Sequence, residues 1–275
     1  MTDRRKLKAV VLSDIHLGSI GCHARELVDY LSSIEPELLF LNGDIIDVWA
    51  FNKRFWPVSH TQVLQQLLLL MSRGTTIYYL TGNHDDILRR YSDAMLGNLH
   101  LVDKLVIELD GKKYWFFHGD VFDLTMRNSR WLARLGGMGY DLLILLNRSV
   151  NWVLQRLGRE RISLSKRIKH SVKRAVAYIS EFEKTVISLA LEQGYDYVVC
   201  GHIHQPEIKV IQAGRRKVIY LNAGDWVENL TALEYNQGTW KLFTYPAIHL
   251  KKQQSPSNGQ LYPLSAELKT NLMQP

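Results

Sequence analysis

Five apolar segments of this chain end in side chains that can bind a divalent cation. "VVLSDIH" delivers Asp14 and His16, "LLFLNGD" Asp44, "IYYLTGNHD" Asn83 and His84, "YWFFHGD" His118, and "VVCGHIH" His202 and His204. Each piece alone is weak, because a Gly-Asp or Gly-Asn pair after a strand is usually a turn and Asp-x-His arises by chance. Five in one chain, in this order, are a strong signal. Two aspartates, four histidines (His16, His118, His202, His204) and Asn83 are more donors than one ion needs. Two divalent ions about 3.5–4 Å apart would use them, and such a pair can bind a phosphoryl group and stabilise its incoming and leaving oxygens. Mixed oxygen and imidazole donors suit Mn²⁺, Fe or Zn²⁺ better than Mg²⁺ or Ca²⁺. Side chains two apart in extended chain point the same way. Asp14 and His16 are therefore expected on one side, and His202 and His204 both toward the cluster, with Ile203 packing inward.

The segments that end in these residues read as strands, rich in β-branched and aromatic residues, and "KLVIEL" and "KVIYLNAGD" read the same way. Strands of one sheet that run in similar directions place their C-terminal ends along one edge, where α/β folds form ligand sites. Between the early strands lie helical patterns. "CHARELVDYLSSIE" puts Leu27, Tyr30, Leu31 and Ile34 on one face, and "HTQVLQQLLLLMSRG" closes on Gly74. Alternating strands and helices predict an α/β layered fold. From about Leu124 to Leu191 the strand signal stops, which predicts a helical insertion at 124–191 with breaks near 135–139 and 157–163. The expected organisation is one domain over 1–250 that carries this insertion, followed by a polar tail at 251–275.

With 275 residues, 46% of them apolar, and 7 prolines, the chain has material for one large core. Cys22 and Cys200 imply no disulfide framework and fit a reducing compartment. The opening apolar run is too short for a signal-peptide core, and no stretch approaches the ~18 apolar residues of a membrane span. The expected location is cytoplasmic, at most peripheral at the inner face of the cytoplasmic membrane. The net charge of +7 is concentrated: residues 121–180 hold 12 Lys and Arg against 3 Asp and Glu, leaving 22 against 24 elsewhere. Such a segment is either a solvated helix face or a contact for an anionic partner.

The order Asp-x-His (Asp14, His16), Gly-Asp-x-x-Asp (Gly43 to Asp47), Gly-Asn-His-Asp (Gly82 to Asp85), His-Gly-Asp (His118 to Asp120) and Gly-His-x-His (Gly201 to His204) resembles that of the calcineurin-like metallophosphoesterases, over roughly residues 8–228. The resemblance implies a four-layer αββα sandwich with a helical lid and a dinuclear site for divalent transition metals, Mn²⁺ foremost. One metal would take Asp14, His16, Asp44 and His204; the other would take Asp44, Asn83, His118 and His202, with Asp44 bridging. His84 would then face the substrate, stabilising the transition state or protonating the leaving oxygen, and Asp47 would orient it. The alternative for Asp47 is an ordinary helix-start cap.

Within that family the chain looks most like the UDP-2,3-diacylglucosamine diphosphatases of lipid A biosynthesis, which carry a helical lid between the last two motifs. The implied reaction is hydrolysis of the diphosphate to lipid X and UMP. "RNSRWLARLGGMGYDLLILLNRSVNWVLQRLG" interleaves apolar residues with arginine, which suits acyl chains, a diphosphate and an anionic membrane face; alternatively these helices pack on each other and on the sheet. By the same resemblance, Lys173 and Arg174 would bind the diphosphate. One position departs: the better-known diphosphatases have arginine where this chain has His84, which keeps another phosphomonoester or phosphodiester open as substrate. A nuclease of the same fold is the second alternative. The basic insertion speaks for it; the apolar density there and the lack of an aromatic-and-basic single-strand motif speak against it. Neither a nucleic acid nor a protein partner is expected.

Overall fold

The computed structural model describes residues 4–50, 55–124 and 164–246, with 164–175 described as backbone only. The chain divides into two compact units, Met1–Tyr245 and Pro246–Pro275, and every described strand and helix belongs to the first. The tail at 251–275 and most of the insertion, including both expected breaks, lie outside the described residues.

Two sheets form the centre. Strands β1 (Arg5–Leu12), β2 (Ile34–Asn42), β3 (Thr76–Leu80), β4 (Met95–Leu96), β5 (Leu99–Val102), β11 (Thr231–Asn236) and β12 (Thr239–Thr244) make a seven-stranded sheet in the order β12-β11-β1-β2-β3-β5-β4. Strands β6 (Lys104–Leu109), β7 (Lys112–Phe117), β8 (Tyr197–Cys200), β9 (Glu207–Ala213) and β10 (Arg216–Asn222) make a five-stranded one, ordered β6-β7-β8-β10-β9. The runs β1-β2-β3-β5 and β7-β8-β10 are parallel. The short strands β4 and β5 give no strand signal in the sequence, because so few residues carry little periodicity.

The pleat decides what each strand residue packs against. From β7, Tyr114 and Phe116 face the seven-stranded sheet and join Val11, Phe40, Leu80 and Leu233 in the core between the sheets. The rings of Phe40 and Phe116 stack across that interface at 4.2 Å. Phe117, one residue on, faces the other way, as do Val198, Cys200 and Tyr220, and these meet Phe182, Val186 and Ala190 of helix α3 (Leu164–Gln193). On the opposite side, α1 (Ala24–Ser32) packs on β2 and on α2 (Val58–Ser72). The result is helix, sheet, sheet, helix: the four-layer α/β sandwich implied by the sequence.

Two expectations need correction. Ile34 is not on the α1 face; it opens β2 and pairs with Arg5, because the helix has already ended at Ser32. The ligand-bearing strands do not share one sheet: β1, β2 and β3 belong to one and β7 and β8 to the other. The described part of the insertion is a single 30-residue helix that runs past Leu191 to Gln193. Among the described residues no helix is long and apolar enough to cross a membrane.

Because Phe182 is fully buried where α3 meets the five-stranded sheet, Phe182→Ala should cost about 3–5 kcal/mol of stability. Denaturant unfolding in chelator would read this as a lower midpoint at unchanged slope; a loss under ~1 kcal/mol would mean that the helix does not seal that face.

Candidate dinuclear metal centre

The strands stop short of the ligands. β1 ends at Leu12, β2 at Asn42 and β8 at Cys200, and the residues that follow turn sharply. Asp14, His16, Asp44, His202 and His204 all have φ between 52° and 67°, five of the nine non-glycine residues with positive φ in the described chain. Left-handed backbone at such residues costs about 1–3 kcal/mol each and collects at functional sites. Asp14 and His16 therefore do not converge through the two-residue alternation of an extended strand, nor do His202 and His204. Convergence is a property of the turns. Gly43 shows why the chain needs small residues here: it has φ +85°, and a Cβ on it would lie 2.3 Å from His118 Nδ1. A Cβ on Gly82 would lie 2.2 Å from Asp44 Oδ1.

Loops from both sheets are tied together by main-chain bonds. The Asp14 amide donates to the Gly43 carbonyl (3.1 Å), that of His16 to Asp44 (2.9 Å), that of Gly201 to His118 (2.9 Å) and that of Trp226 to Asp14 (3.1 Å). The side chains of Ser13 and Asn42 bridge further: Ser13 Oγ donates to the Asn42 carbonyl at 2.9 Å, and Asn42 Nδ2 to that of Phe117 at 3.1 Å.

Three clusters result, each with its ligand atoms within 4.8 Å of one another: Asp14, His16 and His204; Asp44, His118 and His202; and His16, Asp44 and His84. The two neighbouring histidines of "GHIH" thus go to different clusters, while Ile203 packs against the core behind them. Asp14 Oδ1 is 3.1 Å from His204 Nε2, and Asp44 Oδ2 is 3.2 Å from His118 Nε2. Asp14 Oδ1, His16 Nε2, Asn83 Oδ1 and His118 Nε2 are buried and make no hydrogen bond of good geometry among the described residues. An unsatisfied buried polar atom costs about 1–3 kcal/mol. Four of them, all oxygen or imidazole lone pairs from expected ligands, fit bound divalent cations.

The histidines are also held from behind. His118 Nδ1 lies 2.9 Å from the Asn42 carbonyl oxygen, which can only accept, so Nδ1 carries the proton and Nε2 is the free donor atom. His16 Nδ1 lies 3.3 Å from Asp47 Oδ2. Asp47 Oδ1 faces His84 Nδ1 at 3.0 Å and accepts a hydrogen bond from the Ala50 amide at 2.8 Å. Asp47 thus caps a turn rather than a helix and faces two histidines. His84 points its other side outward beside the half-exposed Trp49 ring, 4.3 Å away. Burial opposes charge at Asp14, His204 and His84, yet the His204, His118 and His16 rings hold the Asp14 carboxyl well below the usual carboxylate range. In return Asp14 pushes the His204 imidazole up to about 9. His84 is also raised, by Asp47 and Asp44.

Lys173 and Arg174 sit on α3, in the stretch described as backbone only. Two buried aspartates are given no role by the sequence reading. Asp85, the last residue of the Gly-Asn-His-Asp motif, accepts from the Ile45 amide (2.9 Å), the Gly82 amide (2.6 Å) and Tyr79 Oη (2.7 Å), fastening one ligand loop to the next. Asp225 follows β10 in "LNAGD", the same strand-Gly-Asp punctuation that marks Asp44, and that pattern could have found it.

The profile of the calcineurin-like phosphoesterases matches residues 7–206. The chain belongs to that family. Like other calcineurin-like phosphoesterases it is a metal-dependent hydrolase of phosphoesters or diphosphates, and the clusters above are its candidate metal ligands. Among curated proteins, the UDP-2,3-diacylglucosamine hydrolase of Aliivibrio fischeri (strain MJ11) is 23% identical over 238 residues, 84% of this chain and 95% of its own. The UDP-2,3-diacylglucosamine hydrolase of Aeromonas salmonicida (strain A449) is 25% identical over 247 residues, 86% and 92% respectively. An archaeal phosphodiesterase of solved structure aligns with a TM-score of 0.42 at 13% identity, covering 86% of this chain and 98% of its own.

Metal binding to such a site must displace protons. With His204 held at about 9, it is protonated at about pH 7.5 in the absence of an ion, and a bound ion expels that proton. Calorimetric titration with Mn²⁺ in phosphate and in Tris should show release of about one proton or more per chain, shrinking above about pH 9 as His204 loses its proton unaided. Heats independent of the buffer would contradict the coupling.

Proposed function

We propose that this phosphoesterase hydrolyses the diphosphate of UDP-2,3-diacylglucosamine to lipid X and UMP. The observation that carries the reading is end-to-end similarity to two hydrolases of that substrate, spanning more than nine-tenths of their lengths. The sequence of the insertion supports it, since apolar residues interleaved with arginine suit a nucleotide-linked lipid and an anionic membrane face at the cytoplasmic side.

In this reading the Asp14, His16, Asp44 and His204 side chains hold one divalent ion and Asp44, Asn83, His118 and His202 the other. Two such ions, Mn²⁺ or alternatively Fe or Zn²⁺, supply Lewis acidity to the phosphoryl oxygens. The protein's own task is to place and protonate. His84 lies at the mouth of the clusters with Nδ1 fixed by Asp47 at 3.0 Å, which leaves Nε2 to give a proton or hydrogen bond to the leaving oxygen. Histidine can do this where arginine could only stabilise charge, so His84 gives this chain a proton donor at the reacting bond. Lys173 and Arg174, on the helix that leads back toward His202, are the residues assigned to the diphosphate.

Hydrolysis of UDP-2,3-diacylglucosamine, measured beside a generic phosphodiester and single-stranded DNA, tests the substrate. The lipid should be preferred, activity should vanish in chelator, and Mn²⁺ should restore it; full activity in excess chelator would end the reading. His84→Ala should keep both ions by elemental analysis while turnover falls roughly 10²–10⁴-fold, and Asp47→Asn should show a smaller loss of the same kind. Loss of metal in the His84 variant would make it a ligand instead. Replacing Lys173 and Arg174 together with alanine should raise KM for the nucleotide-lipid about tenfold and leave the generic ester unchanged. Equal losses on both would indicate a damaged fold, and DNA cleavage without lipid hydrolysis would favour a nuclease.

A further inference from the structure

The carboxylate of Asp225 is fully buried beside the clusters without being a member of any of them. One of its oxygens, Oδ1, accepts from three successive main-chain amides, those of Val227 (2.8 Å), Glu228 and Asn229 (3.2 Å). Such a nest fixes the carboxylate in one orientation. Its other oxygen, Oδ2, accepts from Asn229 Nδ2 and faces His204 Nδ1 at 3.7 Å. Asn229 Nδ2 also donates to the His204 carbonyl at 3.0 Å, so one turn, 225–229, holds both the backbone and the ring side of that histidine. The Trp226 amide then donates to the Asp14 carbonyl at 3.1 Å, linking the same turn to the other member of the cluster.

We infer that Asp225 is a positioning residue that sets His204: its carboxylate keeps the proton on Nδ1 and aims Nε2, as a lone pair, at the space shared with Asp14 and His16. The pattern is repeated around the site, where an oxygen acceptor stands behind Nδ1 of His118 and of His16. The 3.7 Å gap is within reach of a small ring rotation. Oxygen partners behind a ligand histidine typically contribute about 10- to 100-fold in metal affinity. The inference rests on His204 being a metal ligand, as proposed above.

Asp225→Asn keeps an Oδ1 for the three amides but offers both His204 Nδ1 and Asn229 Nδ2 an NH₂ group in place of an acceptor, so Asn229→Ala, which removes the second contact and keeps the carboxylate facing His204, is the structural control. In the full-length protein, Mn²⁺ and Zn²⁺ titrations of Asp225→Asn should show one of the two ions bound about 10- to 100-fold more weakly and the other unchanged. Thermal unfolding in chelator should match that of Asn229→Ala, whose metal affinities should stay near wild type. Nitrogen-15 NMR of the metal-free proteins above about pH 10, where His204 is neutral, should report a single tautomer in the wild type and its loss in Asp225→Asn. Wild-type affinity for both ions, or an unchanged tautomer, would overturn the inference. So would equal weakening of both ions with a lower melting temperature in chelator, which marks a collapsed turn. If the wild-type protein itself bound no divalent ion, the metal-site reading would fail rather than this one.

Discussion

Two carboxylates, Asp14 and Asp44, are buried side by side at the ends of neighbouring parallel strands. Like charges so placed cannot both stay ionised in a dry interior without compensation. The surrounding structure is built to supply it. The His204 and His118 rings stand 3.1 and 3.2 Å from the two carboxylates, and amides donate to the oxygens that face away from the clusters: that of His202 to Asp14 at 3.0 Å and that of His84 to Asp44 at 2.7 Å. What is left over is a set of lone pairs aimed at common space. Divalent cations are a compensation that such a donor set fits.

That requirement reaches outward into the backbone. Bringing donors from two different sheets to one point cannot be done with extended chain, so the ligand residues adopt left-handed φ immediately after their strands. The strain is sustained by bonds between loops rather than within them, among them Asp14 to Gly43, Gly201 to His118 and Trp226 to Asp14. Glycine at 43 and 82 clears the space in which the Asp44 and His118 side chains meet. Behind this rigid layer, the stacked Phe40 and Phe116 rings and the α3 face around Phe182 hold the two sheets and the outer helix in register.

Burial is graded across the site. Asp14, His16, Asp44 and His118 are buried, whereas His84 beside Trp49 and His204 leave 25% and 36% of their side chains exposed. Asp47 connects His16 to His84, with one oxygen on each side.

The donor set, its order along the chain and the layered α/β architecture were legible in the sequence because each is local. A strand announces itself by its own residues, and Asp, His and Asn at strand ends declare their chemistry wherever they lie. Which donor joins which cluster was not local. His202 and His204 are two residues apart yet face different partners, and the His202 amide reaches Asp14 across 188 positions. The expectation that alternation would align them failed because it assumed extended backbone where the chain is left-handed. Asp225 carries the same strand-Gly-Asp signature as Asp44, but only the packed turn at 225–229 shows what its carboxylate faces. Side-chain direction after a strand is set by one or two φ angles, and those angles are chosen by contacts with the other sheet. Residue types and their order along the chain therefore settle what could bind, whereas the packing of one sheet on the other assigns each binding group to its cluster and holds it there.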